Sequence, residues 1–173
     1  MSHTLTEEHR FCLEGCRSYK QYYLMRKAFE EGTCTFCSLD RTLNTVLWED
    51  DYAMVWKVPE AYLRDTLALH ALVVPKRHVR FEADLTDEEA LSMHHATQFV
   101  RNTLGYSGGL AHTREGPMDK NSGTVDHLHK NIFEVNKTGE VRVPVYKDPG
   151  DSFANKGRAA EFASWYDAGK YYQ

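Results

Sequence analysis

Short apolar runs separated by turn residues are the dominant pattern of the chain. Five runs rich in β-branched, aromatic and other apolar residues predict β-strands, at residues 45–49, 53–58, 69–74, 110–114 and 125–135. The Asp50-Asp51 pair between the first two suits a tight turn, so these two strands form a predicted hairpin. Pro75 has no N–H for a sheet and ends the third run. The pattern therefore predicts five strands, the first two of them paired as a hairpin.

One segment between the third and fourth strands has helical spacing instead. Its apolar positions recur every three to four residues, at Ala90, Met93, Val100 and Leu104, with Thr97 on the same stripe. Directly before them, residues 86–89 read Thr-Asp-Glu-Glu, the form of a capping box. A helix over residues 86–104 is thus predicted between the third and fourth strands.

The two ends of the chain are predicted to lie outside the main domain. The first thirty residues have a loose apolar stripe, with Thr6 as a candidate N-cap and Gly32 after the helix end. The last residues mix Pro, Gly, Asp and aromatics, with one short helix predicted near residues 159–166. The predicted organisation is an N-terminal helical extension, a main domain and a packed C-terminal tail, at residues 1–32, 33–140 and 141–173.

Composition narrows the class of protein. With 173 residues, 42% of them hydrophobic, the chain suits a folded domain rather than a disordered segment, a collagen or a coiled coil. No apolar run reaches the length of a membrane span, and the first residues lack the order of a signal peptide. The net charge of −4 argues against general nucleic-acid binding but permits small phosphorylated ligands. We expect a cytoplasmic protein.

Two histidines separated by one residue are the first chemical signal. In a strand, His127 and His129 would face the same way, about 6.5–7 Å apart along the chain. Such a pair could bind one metal, or one ring could bind metal while its neighbour acts as a nucleophile. For an arbitrary H-x-H motif, two hydrogen-bonded histidines in a half-buried sheet are the commoner explanation.

The cysteines supply a second signal. Cys34 and Cys37 form a C-x-x-C motif, whereas Cys12 and Cys16 are better explained as small buried apolar residues. Two thiolates with two histidines, such as His78 and His127, make a Cys₂His₂ set suited to tetrahedral zinc. A set closed by four protein ligands points to a structural ion, although spacing alone leaves open which histidines complete it.

Taken in order, these motifs resemble the histidine triad superfamily. The resemblance spans about residues 33–135, and its marks are the C-x-x-C, the hairpin, the L-V-V-P-K-R-H segment at 72–78, the long helix and the T-V-D-H-L-H segment at 124–129. It implies an α+β fold with a five-stranded antiparallel sheet, usually paired as a homodimer. It also implies cleavage of a nucleotide phosphoanhydride or phosphoester through a nucleotidyl-histidine intermediate.

Carried over residue by residue, the resemblance assigns roles in the site. It makes His129 the nucleophile and Thr124 a phosphate contact. It also makes four residues the ligands of a structural Zn²⁺, namely Cys34, Cys37, His78 and His127. A neutral imidazole is a good nucleophile near pH 7, provided an acceptor holds the proton on its other nitrogen.

Three positions depart from the family pattern. Asn131 replaces the third histidine of the motif, so the chain reads H-x-H-x-N. An amide at this position is typical of nucleotidyltransferases and phosphorylases, where it is usually Gln, and this slightly favours transfer over hydrolysis. Arg114 and Ser122 lie where the family has other ribose- and phosphate-contacting elements, and we expect both to be candidate substrate contacts. Arg114, like Lys120 and Lys130, would more commonly be a solvated surface charge.

Three functions remain open at this point. The leading hypothesis is a nucleotidyl transferase or hydrolase acting through His129, on a nucleotide or dinucleotide-type small molecule. The alternative keeps the fold without catalysis, as a nucleotide-binding or regulatory module. The third is a zinc hydrolase in which Cys34, Cys37, His127 and His129 surround an open metal.

Overall fold

A computed structural model of the chain describes most of its length. The described residues are 13–16, 18–58, 67–117, 120, 123–135 and 158–172. They fall into two compact units. The sheet unit comprises Leu39–Glu115 and His127–Val143, and the helical unit comprises Met1–Ser38, Gly116–Asp126 and Pro144–Gln173, each as far as it is described. None of the described helices combines the length and the apolar character needed to cross a membrane.

The sheet unit is built on five antiparallel strands. They are β1 (Val46–Glu49), β2 (Ala53–Lys57), β3 (Leu67–Pro75), β4 (Leu110–Arg114) and β5 (His129–Val135). Their order in the sheet is β1-β2-β3-β5-β4, so β5 lies between β3 and β4. The predicted α+β fold with a five-stranded antiparallel sheet is confirmed.

One face of this sheet packs against helix α2 (Asp87–Thr103). Its core consists of alanine, valine, leucine and isoleucine side chains from the strands together with three residues of the helix, namely Ala53, Val55, Leu69, Ala71, Val73, Ile132, Met93, Ala96 and Val100. Because strand side chains alternate between faces, the residues between these positions lie on the opposite face of the same strands. That opposite face carries the polar residues described in the next section.

The predicted capping box fixes the start of α2. The Thr86 hydroxyl accepts a hydrogen bond from the Glu89 N–H at 3.3 Å, and the Glu89 carboxylate accepts one from the Thr86 N–H at 2.9 Å. Glu89 also forms two hydrogen bonds with the Arg77 guanidinium, at 2.6 and 2.7 Å. This forked ion pair ties the segment just after β3, which includes His78, to the first turn of the helix.

The hairpin turn between β1 and β2 and the start of β4 each depend on one particular residue. The Asp50 carboxylate accepts hydrogen bonds from the Tyr52 and Ala53 N–H groups, which closes the predicted hairpin turn. At the start of β4, Gly109 has φ +155°, and a Cβ there would lie 2.1 Å from the Phe133 carbonyl oxygen. Only glycine lets β4 approach β5 this closely.

Two of the described α-helices belong to the helical unit and pack around an aromatic and sulfur-rich cluster. They are α1 (Tyr19–Glu30) and α3 (Arg158–Asp167), and a 3₁₀ turn at Leu13–Gly15 precedes α1. Buried residues of the cluster include Cys16, Tyr22, Met25 and Phe162. The predicted third helix is confirmed, and so is the interpretation of Cys16 as a buried apolar residue, since it is 1% exposed. Cys12 lies outside the described residues.

The prediction of one helix over the first thirty residues is wrong in its described part. Helix α1 begins at Tyr19, and its N-cap is Ser18, whose hydroxyl accepts a hydrogen bond from the Gln21 N–H at 3.2 Å. The serine side chain provides the local cap, so the helix starts there. Thr6 lies outside the described residues. The predicted end is confirmed, because Glu31 is the C-cap and Gly32 follows with φ +65°.

The predicted strand over residues 125–135 is too long at its start. Strand β5 begins at His129, so His127 does not share a strand face with it. The Leu128 N–H donates to the Val79 carbonyl at 2.8 Å, which joins this segment to the loop after β3 instead of to the ladder. His127 therefore takes a position set by that loop.

Candidate functional site

His129 stands at the start of β5 with its ring held in one tautomer. It is 7% exposed, and its Nδ1 lies 2.7 Å from the backbone carbonyl oxygen of His127. Because a carbonyl can only accept, Nδ1 carries the proton and donates it. The lone pair is therefore on Nε2, which is the state that a nucleophilic imidazole requires.

The surroundings of His129 also keep its ring neutral. Burial lowers the pKa of His129 to about 4, although the hydrogen bond to the His127 carbonyl opposes this effect. The charge of Arg114, which pairs with His129 across the β4–β5 ladder, lowers the pKa further. A neutral ring keeps its Nε2 lone pair available at neutral pH.

Asn131 lies two residues further along β5, on the same face. Its Oδ1 lies 3.0 Å from Nε2 of His70 on β3, and because an amide oxygen accepts, His70 donates. Asn131 is 7% exposed, and its Nδ2 has no hydrogen-bond partner in the part of the chain that the structure describes. The His70 contact thus fixes which end of the amide points away from β3.

His112 approaches this group from the other side. On β4 it pairs with Asn131 across the ladder, and its ring centroid lies 5.3 Å from that of Phe133. Burial, and then the nearby charge of Arg114, lower the pKa of His112 to about 4. Three adjacent strands therefore place His70, Asn131, His112 and His129 on one face of the sheet.

A second pair of histidines lies next to β3 in the sheet unit. The ring centroids of His78 and His127 are 5.0 Å apart at an angle of 82°. Nε2 of His127 lies 3.0 Å from the Pro75 carbonyl oxygen, so this nitrogen carries the proton and Nδ1 carries the lone pair. A histidine that donates one N–H to a backbone carbonyl is the usual state of a metal ligand.

The C-x-x-C motif belongs to the helical unit. Cys34 is 3% exposed and Cys37 is exposed. The turn that joins them is closed by a 2.9 Å hydrogen bond from the Ser38 N–H to the Cys34 carbonyl. A hydrogen bond with Cys34, followed by burial, raises the pKa of the Cys37 thiol. The two thiols thus interact directly, as expected of adjacent ligands in one turn.

The remaining candidate substrate contacts are placed as follows. Arg114 ends β4 directly opposite His129. Thr124 lies in the helical unit, where its hydroxyl accepts a hydrogen bond from the Gln21 amide at 3.5 Å. Ser122 lies outside the described residues.

Two histidines of this face escaped the sequence analysis. His70 is the second residue of the third predicted strand, and His112 is the central residue of the fourth. The available signal was alternation, because His112 and Arg114 lie two residues apart and must share a face. What the sequence could not supply is that β5 lies between β3 and β4, which puts both histidines beside Asn131.

Comparison with known proteins gives structural likenesses only. No family model and no curated protein matches the chain. A histidine triad protein from Clostridium difficile is similar at 23% identity with a TM-score of 0.47, over 64% of this chain and 96% of that one. A Zn-bound histidine triad family protein from Mycobacterium smegmatis is similar at 18% identity with a TM-score of 0.46, over 79% and 98%.

A third structure adds the same family name. It is a histidine triad nucleotide-binding protein from Candida albicans, at 16% identity with a TM-score of 0.49, over 79% of this chain and 99% of that one. The solved structures named here are thus histidine triad proteins, the family that the sequence motifs resemble.

Proposed function

We propose that this chain is a histidine triad enzyme, a nucleotidyl transferase or hydrolase that acts on a nucleotide phosphoanhydride or phosphoester through His129. The observation that carries the proposal is the 2.7 Å hydrogen bond from His129 Nδ1 to the His127 carbonyl, in a buried ring. It leaves Nε2 as the nucleophilic atom. The order of the sequence motifs supports the same function.

The proposed reaction has two displacement steps at phosphorus. In the first, Nε2 of His129 donates its lone pair to the α-phosphorus, the bond from phosphorus to the leaving-group oxygen breaks, and the leaving group departs with that electron pair. The ring then carries a positive charge, which the His127 carbonyl stabilises through the Nδ1 proton. In the second step an oxygen acceptor attacks, the Nε2–phosphorus bond breaks, and the ring regains its lone pair. Water as the acceptor makes the protein a hydrolase, whereas phosphate or a sugar phosphate makes it a phosphorylase or a transferase.

We also propose that Cys34, Cys37, His78 and His127 bind one structural zinc ion. The donor set supports this, because two thiols and two imidazoles are the ligands of closed tetrahedral zinc sites. The His127 Nε2 bond to Pro75 leaves Nδ1 as its ligand atom. When bound, zinc would supply folding energy rather than chemistry at the phosphorus.

Other parts of the proposal rest on the resemblance alone. Arg114, Thr124 and Ser122 are proposed to contact the nucleotide, residues 33–140 to form the catalytic domain, and two chains to form a cytoplasmic homodimer. The ends of the chain, residues 1–32 and 141–173, are proposed to be additions to that domain.

One substitution tests the structural role proposed for the zinc ion. Cys34→Ser is expected to lower both the zinc content and the free energy of unfolding, with Cys16→Ser as a control that changes a buried cysteine outside the ligand set. A folded, active and zinc-free Cys34→Ser protein would contradict the structural zinc.

Catalysis itself is tested by intact-protein mass spectrometry at mildly alkaline pH, where phosphoramidates survive. The protein is mixed briefly with dinucleoside polyphosphates, adenosine phosphosulfate, nucleotide sugars or aminoacyl-type nucleotide phosphoramidates. We expect an adduct with the mass of a nucleoside monophosphate less water, which the acceptor then removes. Nucleotide binding with no adduct from any donor would favour the non-catalytic module instead.

A further inference from the structure

His112 is half-buried, and its two ring nitrogens are placed in a way that costs the protein free energy. Both ring nitrogens are buried, and neither has a hydrogen-bond partner among the described residues. An imidazole always offers at least one N–H donor, and a buried polar atom without a partner lowers the stability of the folded protein. An apolar side chain at this position of β4 would avoid that cost. The histidine is therefore better explained by a ligand than by stability.

Asn131, which pairs with His112 across the β4–β5 ladder, also has a buried nitrogen without a hydrogen-bond partner in the described part of the chain. Its Nδ2 has no partner in the described part of the chain, while its Oδ1 is occupied by His70. Side chains that pair directly in an antiparallel ladder have Cβ atoms about 4.5–5.5 Å apart. Two adjacent strands thus present N–H donors side by side, without protein acceptors in the described structure.

The position of these donors relative to His129 suggests what they bind. His129 and Asn131 lie two residues apart on one face of β5, and His112 and Arg114 lie opposite them on β4. A phosphoryl group attacked by His129 Nε2 carries negatively charged non-bridging oxygens. Such oxygens accept hydrogen bonds well, and donors fixed in advance stabilise the charge that develops on them.

We propose that His112 is a substrate-contacting residue whose ring N–H, together with Nδ2 of Asn131, holds a non-bridging oxygen of the phosphoryl group that His129 attacks. This inference rests on the proposed function and names a contact that the H-x-H-x-N motif does not contain. The site then contains an imidazole from β4, His112, in addition to those of His129 on β5 and His70 on β3. Arg114 adds positive charge at the same edge of the site.

The contact does not require a charged imidazole. Because burial and the Arg114 charge lower the pKa of His112, the ring is neutral at neutral pH and donates through one nitrogen. An amide side chain can replace a neutral ring as a donor. Glutamine places its N–H₂ near the position of Nε2, and asparagine near that of Nδ1, whereas leucine offers no donor.

These three replacements form the test. The rate of adduct formation on His129, the affinity for adenosine monophosphate and the thermal midpoint are measured for wild type, His112→Leu, His112→Gln and His112→Asn. We expect His112→Leu to lower the rate and the affinity, the rate by about 10²-fold. We expect it to leave the thermal midpoint unchanged or higher, since an unpartnered polar group is removed. One of the two amide variants should recover most of the rate, and it would identify the donating nitrogen.

The outcomes separate this contact from the function on which it rests. An adduct rate and a nucleotide affinity in His112→Leu equal to those of wild type would overturn the contact and leave the proposed function standing. A lower thermal midpoint with unchanged affinity would also overturn it, because it would indicate a structural role. A wild-type protein that binds adenosine monophosphate through His112 but forms no adduct would support the contact and overturn the proposed transfer. Absence of both adduct and binding would overturn the two together.

Discussion

The two faces of the sheet are made by the same strands but differ in the polarity of their side chains. Toward α2, the side chains of β2, β3 and β5 are small or β-branched, apolar and buried, as at Val55, Val73 and Ile132. On the opposite face, alternate residues of β3, β5 and β4 bring together His70, Asn131 and His112. The first face contributes stability through burial of apolar surface.

The polar face has features that stability alone would not select. Among the described residues, both ring nitrogens of His112 and Nδ2 of Asn131 are buried there without protein partners. Burial lowers the pKa of both His112 and His129 to about 4. Groups of this kind concentrate at sites that bind or transform a ligand. Neighbouring residues of one strand, such as Asn131 and Ile132, are therefore expected to respond to substitution in opposite ways.

The largest effect is expected at the nucleophile. His129→Ala should reduce turnover by about 10⁴-fold or more, because no other group supplies the attacking nitrogen. The protein should stay folded, since the hydrogen bond that Nδ1 donates goes to the His127 carbonyl, which is only two residues away. Turnover and circular dichroism, measured on the same preparation, check the loss of activity and the retention of the fold. Turnover within tenfold of wild type would contradict the role of His129.

A substitution on the apolar face should give the converse result. Ile132→Ala removes three buried heavy atoms from the α2 interface and should lower the free energy of unfolding by about 2–5 kcal/mol. Turnover per folded molecule should not change. Denaturant unfolding measures the free energy of unfolding. An activity assay below the unfolding transition measures the turnover. The graded control is Ile132→Val, expected to cost about 0.5–1.5 kcal/mol.

The free energy of unfolding should depend on pH through the histidines of the polar face. The pKa of His112 is about 4 in the folded protein and about 6.5 in the unfolded chain. Between these values the unfolded state binds more protons, so the free energy of unfolding falls as the pH is lowered from 6.5 toward 4. His112→Leu should show a shallower fall in this window, measured by denaturant unfolding at several pH values. An identical slope in the variant would exclude His112 as a contributor.

The smallest effect is expected at the helix cap, far from the polar face. Thr86→Ala removes the hydroxyl that accepts from the Glu89 N–H and should cost about 1 kcal/mol of stability. Thr86→Ser keeps the hydroxyl and should cost much less. Neither should change turnover per folded molecule, and a clear loss of turnover in either would show that α2 affects the polar face.

The sequence predicted the parts of this fold that depend on nearby residues. Strand β4 and helix α2 match their predicted ranges within about one residue, because alternation and the capping box are local signals. The start of β5 was wrong because it depends on a hydrogen bond to Val79, about fifty residues earlier. The start of α1 was wrong because Ser18, and not a residue at the beginning of the chain, provides its cap.

The candidate site also contains some contacts that are local in the chain and others that depend on distant strands. The hydrogen bond that fixes the tautomer of His129 is local, because its acceptor is the His127 carbonyl, two residues away. An acceptor for this nitrogen was expected from the sequence, but the residue that supplies it was not, and the role of His129 as the nucleophile stays a prediction. His70 and His112 become neighbours of Asn131 only through the order β3-β5-β4, which joins strands about twenty to sixty residues apart in the chain. Long-range strand pairing leaves little local signal, and both residues were therefore missed.

The most direct test of the central claim is to locate the covalent intermediate. Wild-type protein is mixed with the donor that gives the strongest adduct and digested at mildly alkaline pH, and the modified peptide is fragmented. The account predicts a nucleotidyl group on His129 and on no other histidine of the segment. A nucleotidyl group on His127 or His112, with His129 unmodified, would contradict it.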